Sequence, residues 1–201
     1  MKLYYSPGAC SLACRIALNE TGLAYMAEAV DLKSHEFKGG DFRKINPKGY
    51  VPTLELDNGQ IMTEGPVVLQ YIADQKPETQ LMPASGTFER YRVEEWLNFI
   101  GTEIHKSFGP LFHSDSSASV LLETKRALVQ KFAIVGEALK KSPFLIGEQC
   151  TVADFYLFVV LMWAKKNQID LSAWPSLDQF AERIKAKPSV QAALRAEGLL
   201  H

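Results

Sequence analysis

The sequence has few cysteines, no charge imbalance and no long apolar run, and each shortage excludes a class of protein. Only three cysteines occur among 201 residues. This odd, sparse set fits a reducing compartment better than a disulfide-stabilised scaffold. Lys and Arg number 22 against 23 Asp and Glu, which gives a net charge of -1. That balance offers no basic surface for nucleic acid or for an anionic membrane, so neither is expected as a partner.

Membrane insertion and export find no support either. The longest uninterrupted apolar run, residues 155–164, has ten residues, whereas a membrane-spanning helix needs about 20. At the amino terminus, Pro7-Gly8 interrupts the chain before an apolar segment of signal-peptide length can form. We therefore expect a soluble, cytoplasmic protein in which residues 155–164 form a buried helix.

Histidine and cysteine are also spaced in a way that argues against a metal site. The four histidines lack ligand spacing with the cysteines, so we expect no metal. Cys10 and Cys14 are four positions apart and do not form the C-x-x-C dithiol of disulfide oxidoreductases. A redox mechanism that needs two thiols is therefore disfavoured.

Short β-like runs alternate with helical patterns over about the first 80 residues. An apolar face over residues 9–17 predicts a helix between two strands, with Gly22 placed to cap its carboxyl end. This βαβ unit favours parallel pairing. Asn58-Gly59 predicts a hairpin turn, and a further helix follows it. A βαβ unit followed by ββα predicts a thioredoxin-like sheet, whereas the polar stretch 33–44 is too irregular to assign. The predicted strands are residues 2–5, 25–30, 53–56 and 60–62, and the second helix covers residues 66–74.

The pattern changes near residue 80, where prolines and a glycine mark a linker. We predict a thioredoxin-like α/β domain over residues 1–77, a linker over 78–86 and an all-helical domain over 87–201. Thr151 and Asp154 form a Thr-x-x-Asp capping box before the apolar helix, a signal for folding rather than chemistry. The predicted helices of the second domain are residues 89–108, 121–139, 152–166, 176–186 and 189–196.

Cys10 is the first candidate for chemistry because it lies where a strand gives way to a helix. Helix amino termini carry unpaired N–H groups and a partial positive charge, which favour an anion. The thiol is therefore expected to ionise below its free pKa of about 8.5 and to gain nucleophilicity. The alternative is a small buried core residue, which is the commoner fate of a free cysteine. Cys14, one turn further on, is interpreted as structural.

Two further segments could bind an extended peptide. Pro52 is well placed for a cis peptide bond that leaves the N–H and C=O of Val51 available at an edge. Glu64 and the N–H of Gly65 offer a carboxylate for an ammonium and a donor for a carboxylate, as the end of an α-amino acid requires. Taken singly, an ordinary loop proline and an ordinary helix start explain these segments equally well or better.

Taken together, the segments resemble those of a known family. The sequence contains the blocks MKLY (1–4), SPGACSL (6–12), NPKG (46–49), TEG (63–65), QYIAD (70–74), WLN (96–98), TEIHK (102–106) and TVAD (151–154). In this order, and over essentially the whole chain, they resemble glutathione transferases, most of all the bacterial beta class.

The resemblance implies a homodimeric enzyme that joins the thiol of glutathione to small hydrophobic electrophiles. Cys10 would contact the glutathione sulfur and could form a mixed disulfide with it, which would allow thiol-transferase activity. Val51 would pair with the cysteinyl backbone, and Glu64 with Gly65 would hold the γ-glutamyl end. His35 is our choice for the cation that meets the glycyl carboxylate, a position where relatives often have lysine.

The resemblance also implies that one helix of the second domain closes the site. Asn98, Thr102 and His105 are four and three positions apart, which places them on one face of an α-helix. Glu103 and Ile104 lie in the same stretch and join the glutathione-binding set. His105 would act beside the thiol as a donor or an electrostatic stabiliser, the alternative being a surface or interface histidine.

Several alternatives remain open from the sequence. Tyr5 and Ser11 compete with Cys10 as partners of the thiol, because other classes of the family use tyrosine or serine. A thiol transferase or dehalogenase on the same scaffold is the rival enzyme. A protein that sequesters hydrophobic ligands at the dimer cleft is the rival without catalysis.

Overall fold

The computed structural model describes residues 1–200, and these form two compact units. One unit comprises Met1–Met82 together with the residues from Ala186 onward, and the other comprises Pro83–Lys185. The fold class agrees with the prediction, because the first unit is a thioredoxin-like α/β unit and the second is helical. The boundaries differ from the predicted domains, since the chain after Lys185 belongs to the first unit rather than to the helical one.

A mixed six-stranded sheet organises the first unit. Its strands are β1 (Lys2–Tyr5), β2 (Met26–Asp31), β3 (Glu36–Phe37), β4 (Gly40–Asp41), β5 (Thr53–Glu55) and β6 (Ile61–Thr63). Their spatial order is β4-β3-β2-β1-β5-β6. β1 pairs parallel with β2 and antiparallel with β5, so that Leu3 lies between Ala27 and Leu54. This central place explains why Leu3 and Tyr4 are buried.

The stretch 33–44, which the sequence left unassigned, contains β3, β4 and a 3-10 turn, Phe42–Lys44. Each of these strands has only two residues, which is too short for an alternating pattern to show. Phe42 is buried and its ring lies 5.5 Å from that of Tyr4, centroid to centroid. The packing of one aromatic side chain therefore fixes a segment that looks irregular in sequence.

The first unit also contains the first two helices and the last one. In chain order the helices of the protein are α1 (Ser11–Thr21), α2 (Gly65–Asp74), α3 (Phe88–Phe99), α4 (Gly109–Phe112), α5 (Ala118–Leu139), α6 (Val152–Lys166), α7 (Pro175–Lys185) and α8 (Pro188–Ala196). α1 packs against both α2 and α8. α1 ends at Gly22, whose left-handed φ of 66° matches the predicted carboxyl-terminal cap.

The docking of α8 on α1 explains the difference in domain boundary. Glu20 of α1 pairs with Lys187 at 2.7 Å and accepts a hydrogen bond from the Ser189 hydroxyl. Asn19 donates to the Ser189 carbonyl at 3.1 Å. A helical pattern indicates that α8 is a helix, but only these tertiary contacts assign it to a unit.

The helical unit is built around α6, whose residues from Val152 to Leu161 are all buried. The predicted capping box is present at its start. The Asp154 carboxylate accepts from the Thr151 N–H at 2.7 Å and from the Leu145 N–H at 2.9 Å. Between residues 1 and 200, no helix is both long enough and apolar enough to cross a membrane.

Candidate functional site

Cys10 lies in the turn between β1 and α1, at the amino end of the helix. Its thiol donates to the carbonyl oxygen of Val51, with Sγ 3.3 Å from that oxygen. The structure therefore brings together two predicted site residues that are 41 positions apart. The preceding turn is held by Glu197, whose carboxylate accepts the Gly8 N–H at 2.9 Å and faces the Arg15 guanidinium at 3.1 Å.

The loop before β5 presents Val51 next to this helix start. The Val51-Pro52 peptide bond is cis. The Asn46 side chain donates to the Tyr50 carbonyl at 2.8 Å and to the Thr53 hydroxyl at 3.0 Å. Buried Asn46 thus braces the loop from inside and fixes the backbone on both sides of Val51.

Glu64 and Gly65 open α2 beside the same proline. A Cβ added to Gly65 would lie 3.8 Å from the Pro52 ring, so the two residues are neighbours. Glu64 has a φ of 72°, a left-handed conformation that is uncommon outside glycine. Backbone strain of this kind clusters at functional sites, and here it lies at a predicted one.

The Glu64 carboxylate has a partner that sequence analysis missed. Lys48 Nζ lies 2.6 Å from Glu64 Oε1 and donates to the Thr63 hydroxyl at 3.1 Å. Both charged side chains are exposed. Lys48 belongs to the NPKG block, so its place in that motif was the signal that could have drawn attention to it.

The electrostatics at Cys10 differ from the expectation. Burial raises the pKa of the Cys10 thiol, the charge of Glu64 adds to this effect, and the resulting pKa is about 12. The N–H groups of Cys10 and Ser11 lower the pKa, as the helix start predicts, but desolvation outweighs them. The prediction of a lowered thiol pKa is therefore wrong. A protonated thiol also agrees with the hydrogen bond to Val51, because a thiolate has no proton to donate.

The competing thiol partners are both engaged elsewhere in the first unit. Ser11 is fully buried, and its hydroxyl accepts from the Ser6 N–H at 3.3 Å and donates to the Ser6 carbonyl at 3.4 Å. The Tyr5 ring lies under the Arg15 guanidinium, 3.9 Å from ring centroid to Cζ. These contacts favour Cys10 over Tyr5 and Ser11.

His35 lies beside the loop that carries Val51. Its ring contacts Gly49, where an added Cβ would come within 2.9 Å of His35 Cε1. His35 has a left-handed φ of 58°, and its buried Nδ1 has no hydrogen-bond partner among residues 1–200. His35 thus packs against the loop two positions before Val51.

The predicted residues of the helical unit form a separate set. Their shared face was inferred from an α-helical period, but the segment Ile100–His105 is π-helical. The Thr102 hydroxyl donates to the Asn98 carbonyl at 3.0 Å, as residues four apart on a helix do. The wider turn of the π-helix changes the offset between Thr102 and His105. Asn98 and Thr102 are exposed, whereas Ile104 is fully buried and its side chain is unavailable to a ligand.

Two further contacts in this segment involve its ionisable residues. Glu103 pairs with Lys131 at 3.0 Å. His105 Nδ1 lies 2.6 Å from the Tyr156 hydroxyl, and its ring packs edge-on to Trp163 with centroids 4.8 Å apart. Burial lowers the pKa of His105 to about 4, and the charge of Lys106 adds to this effect. A neutral imidazole can donate a hydrogen bond but carries no charge, which favours the donor role over electrostatic stabilisation.

No group of three or more His, Cys, Asp or Glu side chains in the described part of the chain could hold a metal ion. The first-unit site offers a thiol, a backbone edge and a helix start. That combination suits a peptide with a thiol and two charged ends.

Comparison with known proteins points in the same direction. The chain matches the family model for the glutathione S-transferase N-terminal domain over residues 8–75 and that for the C-terminal domain over residues 99–188. It is 43% identical over 200 residues to glutathione S-transferase GstA of Escherichia coli O157:H7, covering 99% of this chain and 100% of that protein.

Two solved structures extend this similarity to the fold. A bacterial beta class glutathione S-transferase of Sphingomonas chungbukensis has a TM-score of 0.96 and 48% identity, with 100% of both chains covered. A sphingomonad glutathione S-transferase complexed with glutathione has a TM-score of 0.95 and 44% identity, covering 99% of this chain and 100% of that one.

Proposed function

Because the chain belongs to the glutathione S-transferase family, we propose that it joins the thiol of glutathione to small hydrophobic electrophiles at the site around Cys10. It is an enzyme of the bacterial beta-class type. The observation that carries the proposal is the 3.3 Å contact between Cys10 Sγ and the Val51 carbonyl oxygen. This contact places a thiol beside a backbone edge that could pair with a peptide.

Glutathione would dock on the first unit as an added strand. Its cysteinyl backbone would pair with Val51, as an extended peptide pairs with an exposed edge. Its γ-glutamyl end would meet Glu64 and the N–H of Gly65, and its glycyl carboxylate would meet His35. The support is that these residues lie around a single loop and helix start.

Cys10 would act on the glutathione sulfur mainly as a hydrogen-bond donor. Since its pKa is about 12, the thiol keeps its proton near neutral pH and can donate to a glutathione thiolate. Formation of a mixed disulfide is slow near neutral pH, because Cys10 must first lose that proton. Its thiolate then attacks one sulfur of glutathione disulfide, and the departing glutathione thiolate takes up a proton.

The helical unit would contribute His105 as a second donor to the sulfur. Asn98, Thr102 and Glu103 would add polar contacts, with Ile104 limited to its backbone because its side chain is buried. We further propose that the protein is a cytoplasmic homodimer, as the family resemblance implies.

Replacement of Cys10 by alanine tests the role of the thiol, with Cys150→Ala as the matched control in the helical unit. Calorimetry with reduced glutathione, turnover of 1-chloro-2,4-dinitrobenzene and intact mass after exposure to glutathione disulfide are measured for each protein. We expect Cys10→Ala to bind glutathione, to lose the mixed disulfide completely and to turn over the electrophile more slowly. Cys150→Ala should match the unmodified protein in all three measurements.

The same measurements distinguish the rival functions. Faster turnover of bis(2-hydroxyethyl) disulfide than of the haloaromatic acceptor would identify a thiol transferase. Binding of glutathione without turnover across a broad acceptor panel would identify a ligand-sequestering protein. The absence of any binding heat with a well-folded sample would overturn the proposed function.

A further inference from the structure

We propose that Tyr156 is a positioning residue that holds His105 in the tautomer with its proton on Nε2. The inference rests on the proposed function, in which His105 donates a hydrogen bond to the glutathione sulfur. Its basis is the distance of 2.6 Å between the Tyr156 hydroxyl and His105 Nδ1, which is short for a hydrogen bond between neutral groups.

The chemistry of the two groups sets the direction of this hydrogen bond. A neutral imidazole has one N–H and one bare nitrogen, which is a good acceptor because its conjugate acid has a pKa of about 6.5. A phenol is an acid with a pKa of about 10, and its oxygen is a poor base. Tyr156 therefore donates and Nδ1 accepts. The single ring proton of His105 is then on Nε2, which becomes the donor nitrogen.

The surroundings fix the plane of the ring as well as its proton. Trp163 packs edge-on to His105 with an interplanar angle of 76°. Phe108 in turn packs edge-on to Trp163, with the two ring centroids 5.5 Å apart. Tyr156 and Trp163 are both buried and lie seven positions apart on α6, which is two helical turns. The same helix thus supplies both the hydrogen bond and the ring contact.

α6 is well suited to this task because its amino end is anchored. The Asp154 carboxylate receives two backbone N–H groups and the Thr151 hydroxyl within 3.0 Å, only two positions before Tyr156. His105, in contrast, ends a π-helical segment, where backbone hydrogen bonds follow a less regular pattern. A rigid partner is therefore placed against a residue in a less regular element.

Nitrogen NMR of the full-length protein measures the tautomer directly. In protein labelled with ¹⁵N-histidine, long-range proton–nitrogen correlations at pH 7 should show His105 with a protonated Nε2 and a bare Nδ1. The signals are assigned by their loss in His105→Gln. In Tyr156→Phe we expect a mixture of both tautomers. Tyr25→Phe, which removes a hydroxyl bonded to Asn19 in the first unit, is the matched control and should leave His105 unchanged.

Kinetics then separate positioning from general damage to the fold. We expect Tyr156→Phe to lower kcat for the haloaromatic acceptor about fivefold, the size of one ordinary hydrogen bond, with little change in the KM for glutathione. In a His105→Gln background the same change should have no further effect on kcat. A structural role for Tyr156 would lower kcat by the same factor with and without His105→Gln. Circular dichroism checks that each variant is folded.

Two results would overturn the inference: a protonated Nδ1 in the unmodified protein, or an unchanged tautomer in Tyr156→Phe. A different result bears on the proposed function alone. If the tautomer shifts as expected but His105→Gln retains full turnover, Tyr156 does position His105, and His105 has no role in catalysis.

Discussion

The two residues proposed to act on glutathione, Cys10 in the first unit and His105 in the helical unit, are both neutralised by burial. Desolvation raises the pKa of Cys10 to about 12 and lowers that of His105 to about 4. The two shifts have opposite signs because the thiol is charged when deprotonated and the imidazole when protonated. In each unit the protein therefore presents a neutral hydrogen-bond donor near pH 7.

The neutral state of Cys10 and His105 distinguishes this protein from enzymes with an activated cysteine. Such enzymes hold a thiolate beside a cationic histidine, which lowers the thiol pKa. Here neither charge is present near neutral pH, so Cys10 is not expected to be a strong nucleophile on its own. A neutral thiol can instead donate a hydrogen bond to a negative sulfur on the bound substrate, with little reorganisation during the reaction.

Alkylation of Cys10 should give the largest effect. With a pKa of about 12, the thiolate fraction grows tenfold for each pH unit below that value. The rate of modification by iodoacetamide should therefore rise about a hundredfold between pH 7 and pH 9, without a plateau. Peptide mass analysis reports the modified cysteine, and Cys10→Ala identifies its signal.

A small thiol with a free pKa of about 8.5 serves as the reference, and its rate should level off as the pH passes that value. A plateau for Cys10 below pH 8, with circular dichroism unchanged, would show that the helix start prevails over desolvation. Cys10 would then not be held as a neutral thiol near pH 7, and it would no longer match the neutral His105.

The pH dependence of stability tests whether the fold keeps His105 neutral. The pKa of His105 is lower in the folded protein than its usual value of about 6.5, so the unfolded chain binds the proton first. Its contribution to stability is complete above pH 6.5 and is lost as the pH falls towards 4. The loss is at most roughly 3–4 kcal/mol, from a shift of about 2.5 pKa units at about 1.4 kcal/mol each.

The contribution of Asp154, in the same unit, to the stability of the fold changes with pH in the opposite direction. Burial raises its pKa to about 6, so its contribution is complete below about pH 4 and is lost as the pH rises through 6. The two effects should largely cancel in the unmodified protein between pH 4 and 6. In His105→Gln the His105 contribution is absent, so with rising pH over that window we expect the free energy of unfolding to rise less, or to fall more, than in the unmodified protein.

Urea unfolding at fixed protein concentration measures this change at pH 4.5, 5.5 and 6.5. His113→Gln is the matched control, because His113 is an exposed histidine of the same unit. Equal pH slopes in His105→Gln and in the unmodified protein would mean that His105 is not held neutral by the fold.

Sequence analysis predicted the parts of this protein that depend on local pattern. The thioredoxin-like order of strands and helices, the Gly22 cap and the capping box at Asp154 were confirmed, as was the family. Each has a short-range signal such as alternation, a positive-φ glycine or a fixed spacing of polar residues. The strands β3 and β4 have no such signal, because two residues are too few for an alternating pattern to show.

The errors in the site have a common cause. The pKa of Cys10 depends on how much water the folded chain removes, and the helix start that the sequence reveals is the weaker influence. The predicted offset between Thr102 and His105 was based on an α-helical period, whereas the segment Ile100–His105 is π-helical and has a wider turn. Both quantities are set by contacts between distant parts of the chain, and no spacing of residues records them.

Lys48 gives the smallest predicted effect and marks the limit of the comparison. Unlike Cys10 and His105, Lys48 and Glu64 are exposed, and an exposed ion pair of this kind contributes about 0–1 kcal/mol to stability. Lys48 lies where the γ-glutamyl end is proposed to bind, and its charge would favour the carboxylate there. We therefore expect Lys48→Met to weaken glutathione binding about twofold, as measured by calorimetry.

The effect of Lys48→Met should disappear at high salt, because ions screen exposed charges over a few ångströms at about 1 M. Lys38→Met removes the same charge from another exposed position in the first unit and should leave binding unchanged. Tighter binding by Lys48→Met would mean that Lys48 competes with the substrate ammonium for Glu64 rather than assisting its carboxylate. Exposed charges would then regulate this end of the site by competition, whereas the buried groups Cys10 and His105 are proposed to act as neutral donors.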